Sequence, residues 1–285
     1  PRAPGAAGTR CQRIEAASGS FFCVYPVLPI ILVTNDDGIA SLGLQTLAKA
    51  MSRMGTVWVV APDRERTAVG HALTLHKPLR LTRMRPRWFA VNGTPTDCVN
   101  LAVQQILPRR PALIVSGINR GVNLGDDVTY SGTVSAALEG TIMGIPSMAV
   151  SQEGREQFRF PVAATYAVVV ARARLRYGLP PETLLNVNVP DLTRDAIRGC
   201  RVTRLSRRRF DNPIIEKLDP HGRHYYWIAG TRITWKRQAD SDYTALQDRY
   251  VSVTPLHLDM THEEALAGIR TWEPFVSSHQ VIRST

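Results

Sequence analysis

The chain has 285 residues, of which 44% are hydrophobic, 21% charged and 7% aromatic. That balance excludes collagen, coiled coil and disordered tail, and describes a soluble globular enzyme with one large domain or one domain plus a small appendage. The formal net charge of +11 brings nucleic acid into view, yet 31 of the 35 basic residues are Arg and only Lys49, Lys77, Lys217 and Lys236 are Lys, so an Arg bias supplies much of the excess. The densest run, Arg194 to Arg209, holds seven Arg against one Asp and is a candidate contact for an anionic substrate or partner. Four scattered cysteines, Cys11, Cys23, Cys98 and Cys200, make neither a disulfide framework nor a paired zinc site, and favour a reducing cytoplasm.

Residues 1–28 are rich in Ala, Gly and Ser, show no helical or strand period before Phe21, and read as a disordered or non-native leader. The apolar stretch at 21–33 is interrupted by two prolines, so it is no signal-peptide core. No other segment approaches the roughly 20 apolar residues of a membrane span. From Ile30 the order becomes regular. "IILVT" is an apolar run suited to a strand buried on both faces, and "NDDG" ends it with turn chemistry. Leu44, Leu47, Ala48 and Met51 make a helical stripe, with Gly55 in place for a C-terminal cap. "TVWVVAP" is a second buried strand. After a polar loop and "WFAVNG", Thr94, Pro95 and Asp97 have the positions of an N-cap, a first-turn proline and a first-turn acid.

"PALIVSG" predicts a further strand, followed by a long Gly-, Asn- and Asp-rich loop and a small-residue helix starting near Thr133. "IPSMAVS" is a strand, 161–177 a helix, and "LLNVNVP" another strand. Strands alternating with helices predict an α/β fold, a Rossmann-like, doubly wound and mostly parallel sheet with ligands at the carboxyl ends of its strands. Past about Arg204 the segments "HYYWIAG", "RITW" and "YVSVTPL" read as short hairpin strands, with one late helix near 262–272. The expected division is a leader (1–28), an α/β core (29–204) and a hairpin-rich C-terminal part (205–285) that packs on the core or on another subunit.

Three loops carry chemistry. Asp36 and Asp37 stand directly after the first strand; two adjacent carboxylates repel unless a cation lies between them, and hard oxygen ligands suit Mg²⁺ or Mn²⁺. A turn of solvated acids with Asn35 and Gly38 is the alternative. In residues 116–133, Asn119 offers a neutral oxygen, and Ser131-Gly132-Thr133 opens a helix whose free N–H groups attract anions; a plain N-cap on a glycine-rich linker would use the same residues. In residues 61–75, Asp63, Arg64, Glu65, Arg66, Thr67 and His71 cluster past the second strand, as they also would in a salt-bridged surface loop.

Taken together, "ILVTNDDG", "VVAPDRERT", "GTPTDC", "SGINRGVNLGDDVTYSGTVSAALEG" and "GIPSMAVS" resemble the successive signatures of the SurE (survival protein E) family of metal-dependent nucleotide phosphatases, in order and over roughly residues 29–260. The resemblance implies one divalent cation per subunit, Mg²⁺ or Mn²⁺, bound by Asp36, Asp37, Thr67 and Asn119. Thr67 stands where the family often has Ser, which keeps the oxygen and adds a methyl group. The implied activity is release of phosphate from nucleoside 5′- and 3′-monophosphates by a metal-activated water, with polyphosphate as a side substrate. Asp36 and Asp37 are the catalytic pair, their division of roles left open, and Gly38, Asn119, Ser131, Gly132 and Thr133 are the expected phosphate contacts. The resemblance further implies a homodimer or homotetramer exchanging its C-terminal hairpin.

The rivals fare less well. A phosphoacceptor signalling domain would be about half as long and would place a Lys at the end of a late strand, and a dinucleotide oxidoreductase needs Gly-x-Gly-x-x-Gly where this chain has Asn-Asp-Asp-Gly. A non-enzymatic nucleic-acid binder with an Arg-rich surface is the alternative of a different class; "RHYYWIAGTRITWKR" interleaves cations with aromatics. A requirement for Mn²⁺ or Mg²⁺ in phosphate release separates the two. The expected profile is a cytoplasmic enzyme with no membrane and no specific nucleic-acid partner.

Overall fold

The structure, a computed structural model, describes residues 12–15, 21–24, 28–154, 157–209, 214–228, 234–235 and 237–276. In chain order the elements begin with a small antiparallel pair, β1 (Gln12–Glu15) and β2 (Phe21–Val24). There follow β3 (Ile30–Thr34), α1 (Leu42–Met51), β4 (Thr56–Pro62), β5 (Leu81–Arg85), β6 (Trp88–Val91), α2 (Pro95–Leu101), β7 (Leu113–Arg120), α3 (Gly132–Ile142), β8 (Ser147–Gln152), α4 (Phe160–Tyr177) and β9 (Thr183–Val189). The remainder is β10 (Cys200–Val202), β11 (Arg208–Arg209), β12 (Ile214–Leu218), β13 (His224–Ile228), β14 (Thr234–Trp235), α5 (Asp242–Gln247), β15 (Val251–His257), α6 (Glu263–Arg270) and α7 (Glu273–Val276).

Nine strands form the central sheet in the order β10-β15-β9-β8-β7-β3-β4-β6-β5. The six from β9 to β6 are mutually parallel; β5 closes one edge antiparallel to β6, and on the other side β15 runs antiparallel to β9 and carries β10, parallel to itself, as the edge strand. This is the α/β arrangement expected. Its strands are apolar on both faces because helices cover both. Ile31 and Val33 of β3 share a core with Leu44, Leu47 and Met51 of α1 and with Ala163, Ala167 and Val170 of α4. Leu32, between them, points to the opposite core with Cys98 and Val99 of α2 and Ala136 of α3.

The helix starts follow the sequence signals. Ser41 accepts the Leu44 N–H at 3.4 Å at the head of α1. Thr94 and Asp97 form a reciprocal capping box on α2, with Pro95 in the first turn. Two expectations are corrected. The helix α1 ends at Ser52, whose N–H bonds back to Ala48 and Ala50 carbonyls, and Gly55 instead makes room for the Pro29 carbonyl. The segment "YVSVTPL" is no isolated hairpin strand, because β15 finds β9 as a ladder partner and completes the main sheet. Most of the leader lies outside the described residues, but Gln12–Glu15 and Phe21–Val24 pair as strands despite the lack of visible periodicity before Phe21. Part of "HYYWIAG" and of "RITW" also lies outside them; within the described part, β12 and β13 form a separate two-stranded sheet.

Candidate active site

The first strand ends in a tight turn that fixes two carboxylates. The buried Asn35 donates from Nδ2 to the Gly38 carbonyl at 3.1 Å. Gly38 sits at φ 93°, and a Cβ there would meet the Arg64 backbone carbonyl carbon at 2.9 Å, so the turn admits only glycine. Asp36 is buried. Its backbone carbonyl accepts the Arg66 N–H at 2.8 Å, and its carboxylate Oδ1 accepts the Thr133 hydroxyl from the first turn of α3. That helix comes close because residue 132 is glycine; a Cβ there would stand 2.9 Å from Asp36 Oδ2. Ser131 caps α3, its hydroxyl accepting the Val134 N–H at 3.1 Å.

A cleft of about 330 Å³ opens at these strand ends, lined by Asp36, Asp37, Thr67, Asn119 and Ser131 together with Glu65, Ala68, Arg120, Val122, Asn123, Asp127 and Tyr130. Five of the eight expected site residues therefore meet in one cavity. Gly38, Gly132 and Thr133 stand behind it, where they shape the turn and hold Asp36. Asn119 donates its amide nitrogen to the Gly121 carbonyl at 3.0 Å, which leaves Oδ1 as the group's acceptor end. The Thr67 hydroxyl donates to Glu65, so its oxygen lone pairs remain for another partner. Asp63 and Arg66, by contrast, form a loop brace at 3.6 Å, with Arg66 also donating to the Asn92 carbonyl.

Burial pushes the Asp36 carboxyl above its ordinary value, against the lowering effect of the Thr133 hydrogen bonds. Asp37 is raised from 3.8 to about 6, first by desolvation, then by the charge of Asp36; the Arg120 guanidinium and backbone N–H pull the other way. Asp37 Oδ2 is buried and has no hydrogen-bond partner among the described residues. A buried carboxylate oxygen without a donor is costly unless something positive meets it. Among the described residues, no three His, Cys, Asp or Glu side chains gather as a metal cage. The donors are two carboxylates with neutral Thr and Asn oxygens beside them, and that all-oxygen set fits a hard divalent cation such as Mg²⁺ or Mn²⁺.

Several contributors to the cleft carry no local sequence signal. The loop bearing Asn123 is tied to the sheet: Asn123 N–H donates to Asn188 Oδ1 at 2.8 Å, Asn123 Nδ2 to Ser151 Oγ at 2.7 Å, and Asn186 and Asn188 donate to the Asn123 carbonyl. Two Asn at alternate positions of the buried strand "LLNVNVP" are the one clue, because polar groups inside a sheet must find partners. On the other side, His71 Nε2 meets Glu139 Oε2 at 2.8 Å and Asn100 Nδ2 donates to Glu139 Oε1 at 2.5 Å. The hydrogen bond from His71 leads the interactions that hold the Glu139 carboxyl below its usual range.

Comparison with known proteins adds an independent line. The family model described as Survival protein SurE matches residues 31–212. The chain is 53% identical over 246 residues to the 5′-nucleotidase SurE of Geotalea daltonii, covering 86% of this chain and 99% of that protein. It is 55% identical over 243 residues to the 5′-nucleotidase SurE of Pelobacter propionicus, covering 85% and 98%. Among solved structures, the SurE protein from Aquifex aeolicus superposes with a TM-score of 0.78 at 42% identity, covering 86% of this chain and all of that one.

Proposed function

Because the chain belongs to the survival protein SurE family, we propose that it is a metal-dependent phosphomonoesterase that releases phosphate from nucleoside 5′- and 3′-monophosphates, with polyphosphate as a side substrate. The name of its relatives supports the 5′ activity; the 3′ and polyphosphate activities rest on the motif resemblance. The observation that carries the reading is the buried Asp36 beside the half-buried Asp37, whose Oδ2 is enclosed and unpartnered, opening on the same cleft as Thr67 and Asn119.

Asp36, Asp37, Thr67 and Asn119 would hold one Mg²⁺ or Mn²⁺ per subunit. Bound there, the cation supplies charge neutralisation for phosphoryl oxygens and makes water a better nucleophile at neutral pH. The protein's own groups do the rest. Thr133 and the close approach of Gly132 keep Asp36 in one orientation. Asp37, the less buried of the two carboxylates and a lining residue of the cleft, is the group assigned to accept a proton from the attacking water. Arg120 brings a cation to the cleft wall, and Ser131 at the start of α3 lines the same cleft. Nothing in this set is specific to one base.

The test is a panel of nucleoside 5′- and 3′-monophosphates, polyphosphate, p-nitrophenyl phosphate and its bis ester, assayed with Mn²⁺, with Mg²⁺ and with chelator. Monophosphates are expected to lose phosphate only with added metal, and the diester to be much the poorer substrate. Diester cleavage as fast as monoester cleavage would point to a nuclease, and no release from any nucleotide to a binding protein.

We further propose a cytoplasmic homodimer or homotetramer assembled through the C-terminal part. No helix among the described residues is long and apolar enough to cross a membrane, and Cys98 and Cys200 are free thiols. The hairpin of β12 and β13 exposes Tyr226 and Trp227 at 61% and 60%, and a two-stranded ribbon of this kind is marginal without a surface to lie on. Deleting residues 214–228 is expected to lower the mass seen by sedimentation. A full-length chain that already sediments as a monomer contradicts the idea.

A further inference from the structure

The loop after β4 brings Thr67 to the cleft, yet it has little apolar surface to hold it there. Thr67, Ala68 and Val69 are exposed, as are Leu73 and Leu75. Ala68 and Gly70 take left-handed backbone, at φ 57° and 61°, so the chain turns twice within a few residues. A segment built this way takes its position from polar ties. Beyond Thr67 these are the Gly70 N–H on the Tyr130 carbonyl at 3.3 Å, the His71–Glu139 contact at 2.8 Å, the Thr94 hydroxyl on the Ala72 carbonyl at 2.7 Å, and Thr74 donating twice to Asp97 at 2.9 and 2.6 Å.

The His71 tie differs from the others in where its partner sits. Glu139 lies on α3, six residues past Thr133, or about 9 Å along the axis at 1.5 Å per residue. Thr133 grips Asp36. One rigid helix therefore holds a carboxylate of the site at its first turn and the Thr67 loop further along. Glu139 is itself buried and cannot swing, because its second oxygen accepts Asn100 from α2.

We propose that Glu139 is a positioning residue for the divalent-cation site: through His71 it sets the placement of the Thr67 oxygen relative to Asp36. The proposal rests on the reading of the cleft as a metal-dependent phosphatase site. Loss of the grip frees the loop and withdraws the Thr67 oxygen, while Asp36, Asp37 and Asn119 stay where they are. Cation binding then weakens without vanishing, and any effect of Glu139 passes through Thr67.

The experiment is titration of the full-length protein with Mn²⁺ alone, followed by the resonance of the free ion, for wild type, His71→Ala, Glu139→Ala, Glu139→Gln, Thr67→Ala and the Thr67→Ala/His71→Ala pair. A lost positioning contact of this kind typically costs about tenfold in Kd, and that loss is expected for each single alanine. Glu139→Gln, whose oxygen still accepts from His71 while its NH2 donates to a turned Asn100 amide, should stay within about threefold of wild type. The decisive arm is the pair: if His71 acts through Thr67, the double variant binds no more weakly than Thr67→Ala alone. Losses that add, or a wild-type Kd in His71→Ala, overturn the proposal, and His71→Ala decides it even if the buried Glu139→Ala fails to fold. The underlying reading fails differently, by absence of Mn²⁺ binding in wild type or by unchanged binding in Asp36→Asn.

Discussion

Asp36→Asn is expected to abolish tight Mn²⁺ binding and to lower phosphatase turnover by at least about a hundredfold, the scale of losing one preorganised electrostatic contact, while leaving the chain folded. The substitution keeps the shape of the side chain. Asn Oδ1 can still accept the Thr133 hydroxyl, and the planar amide fits the space that Gly132 leaves. What disappears is a negative charge that the fold buries at a cost, as the raised carboxyl of Asp36 indicates. The chelator-treated variant should therefore melt no lower than wild type. Asp63→Asn is the contrast, because Asp63 is exposed and touches Arg66 only at 3.6 Å; little change is expected there. Mn²⁺ titration and turnover of p-nitrophenyl phosphate read both variants. Full activity of Asp36→Asn in the presence of chelator would end the metal mechanism.

How much of this could be read beforehand depended on whether the information was local. The buried strands β3, β4, β7, β8 and β9 are short apolar runs closed by turn residues, and the caps at Ser41, Thr94 and Ser131 are each set within four residues of sequence. Asp36, Thr67 and Asn119 were legible because each follows such a run, where an α/β sheet places its ligands. The strand β5, "LTRMR", gave no warning: it is exposed along its whole length at the sheet edge, so burial imposes no alternation on it. For β15 the strand was legible but its partner was not, because its ladder with β9 joins residues 64 to 74 positions apart. The same limit applies in the site. His71 and Glu139 are separated by 68 positions, and Arg120 acts on Asp37 through a backbone N–H, which no side-chain pattern reveals, as well as through its charge. The Thr133 hydroxyl donates to Asp36, a contact that spacing alone does not reveal, since it depends on how closely the helix approaches the carboxylate.

Asp37→Asn is expected to move function and stability in opposite directions. In the folded protein the Asp37 carboxyl is raised from 3.8 to about 6, so the folded chain holds this proton more tightly than the unfolded chain does. Stability then falls as pH rises from the unfolded value toward about 6, and stays at its lower level above that. This is the reverse of a salt-bridged carboxylate, whose contribution is lost in acid. Asn carries no such penalty, so the chelator-treated variant should melt higher than wild type at neutral pH and converge with it near about pH 4. Cation binding follows the opposite logic. It requires the carboxylate, so wild-type Mn²⁺ affinity should drop by up to about tenfold per unit as the pH falls below about 6, with a proton released on binding. In Asp37→Asn that pH dependence should flatten, overall affinity should be lower, and turnover should fall at least as far as in Asp36→Asn, because both a ligand and the proton acceptor are gone. Thermal melts with chelator and Mn²⁺ titrations across this pH range test the two halves separately. A melting difference that does not grow between about pH 4 and 7 would mean that the Asp37 carboxyl is not held neutral by the fold, and an unchanged pH dependence of Mn²⁺ affinity would remove Asp37 from the site.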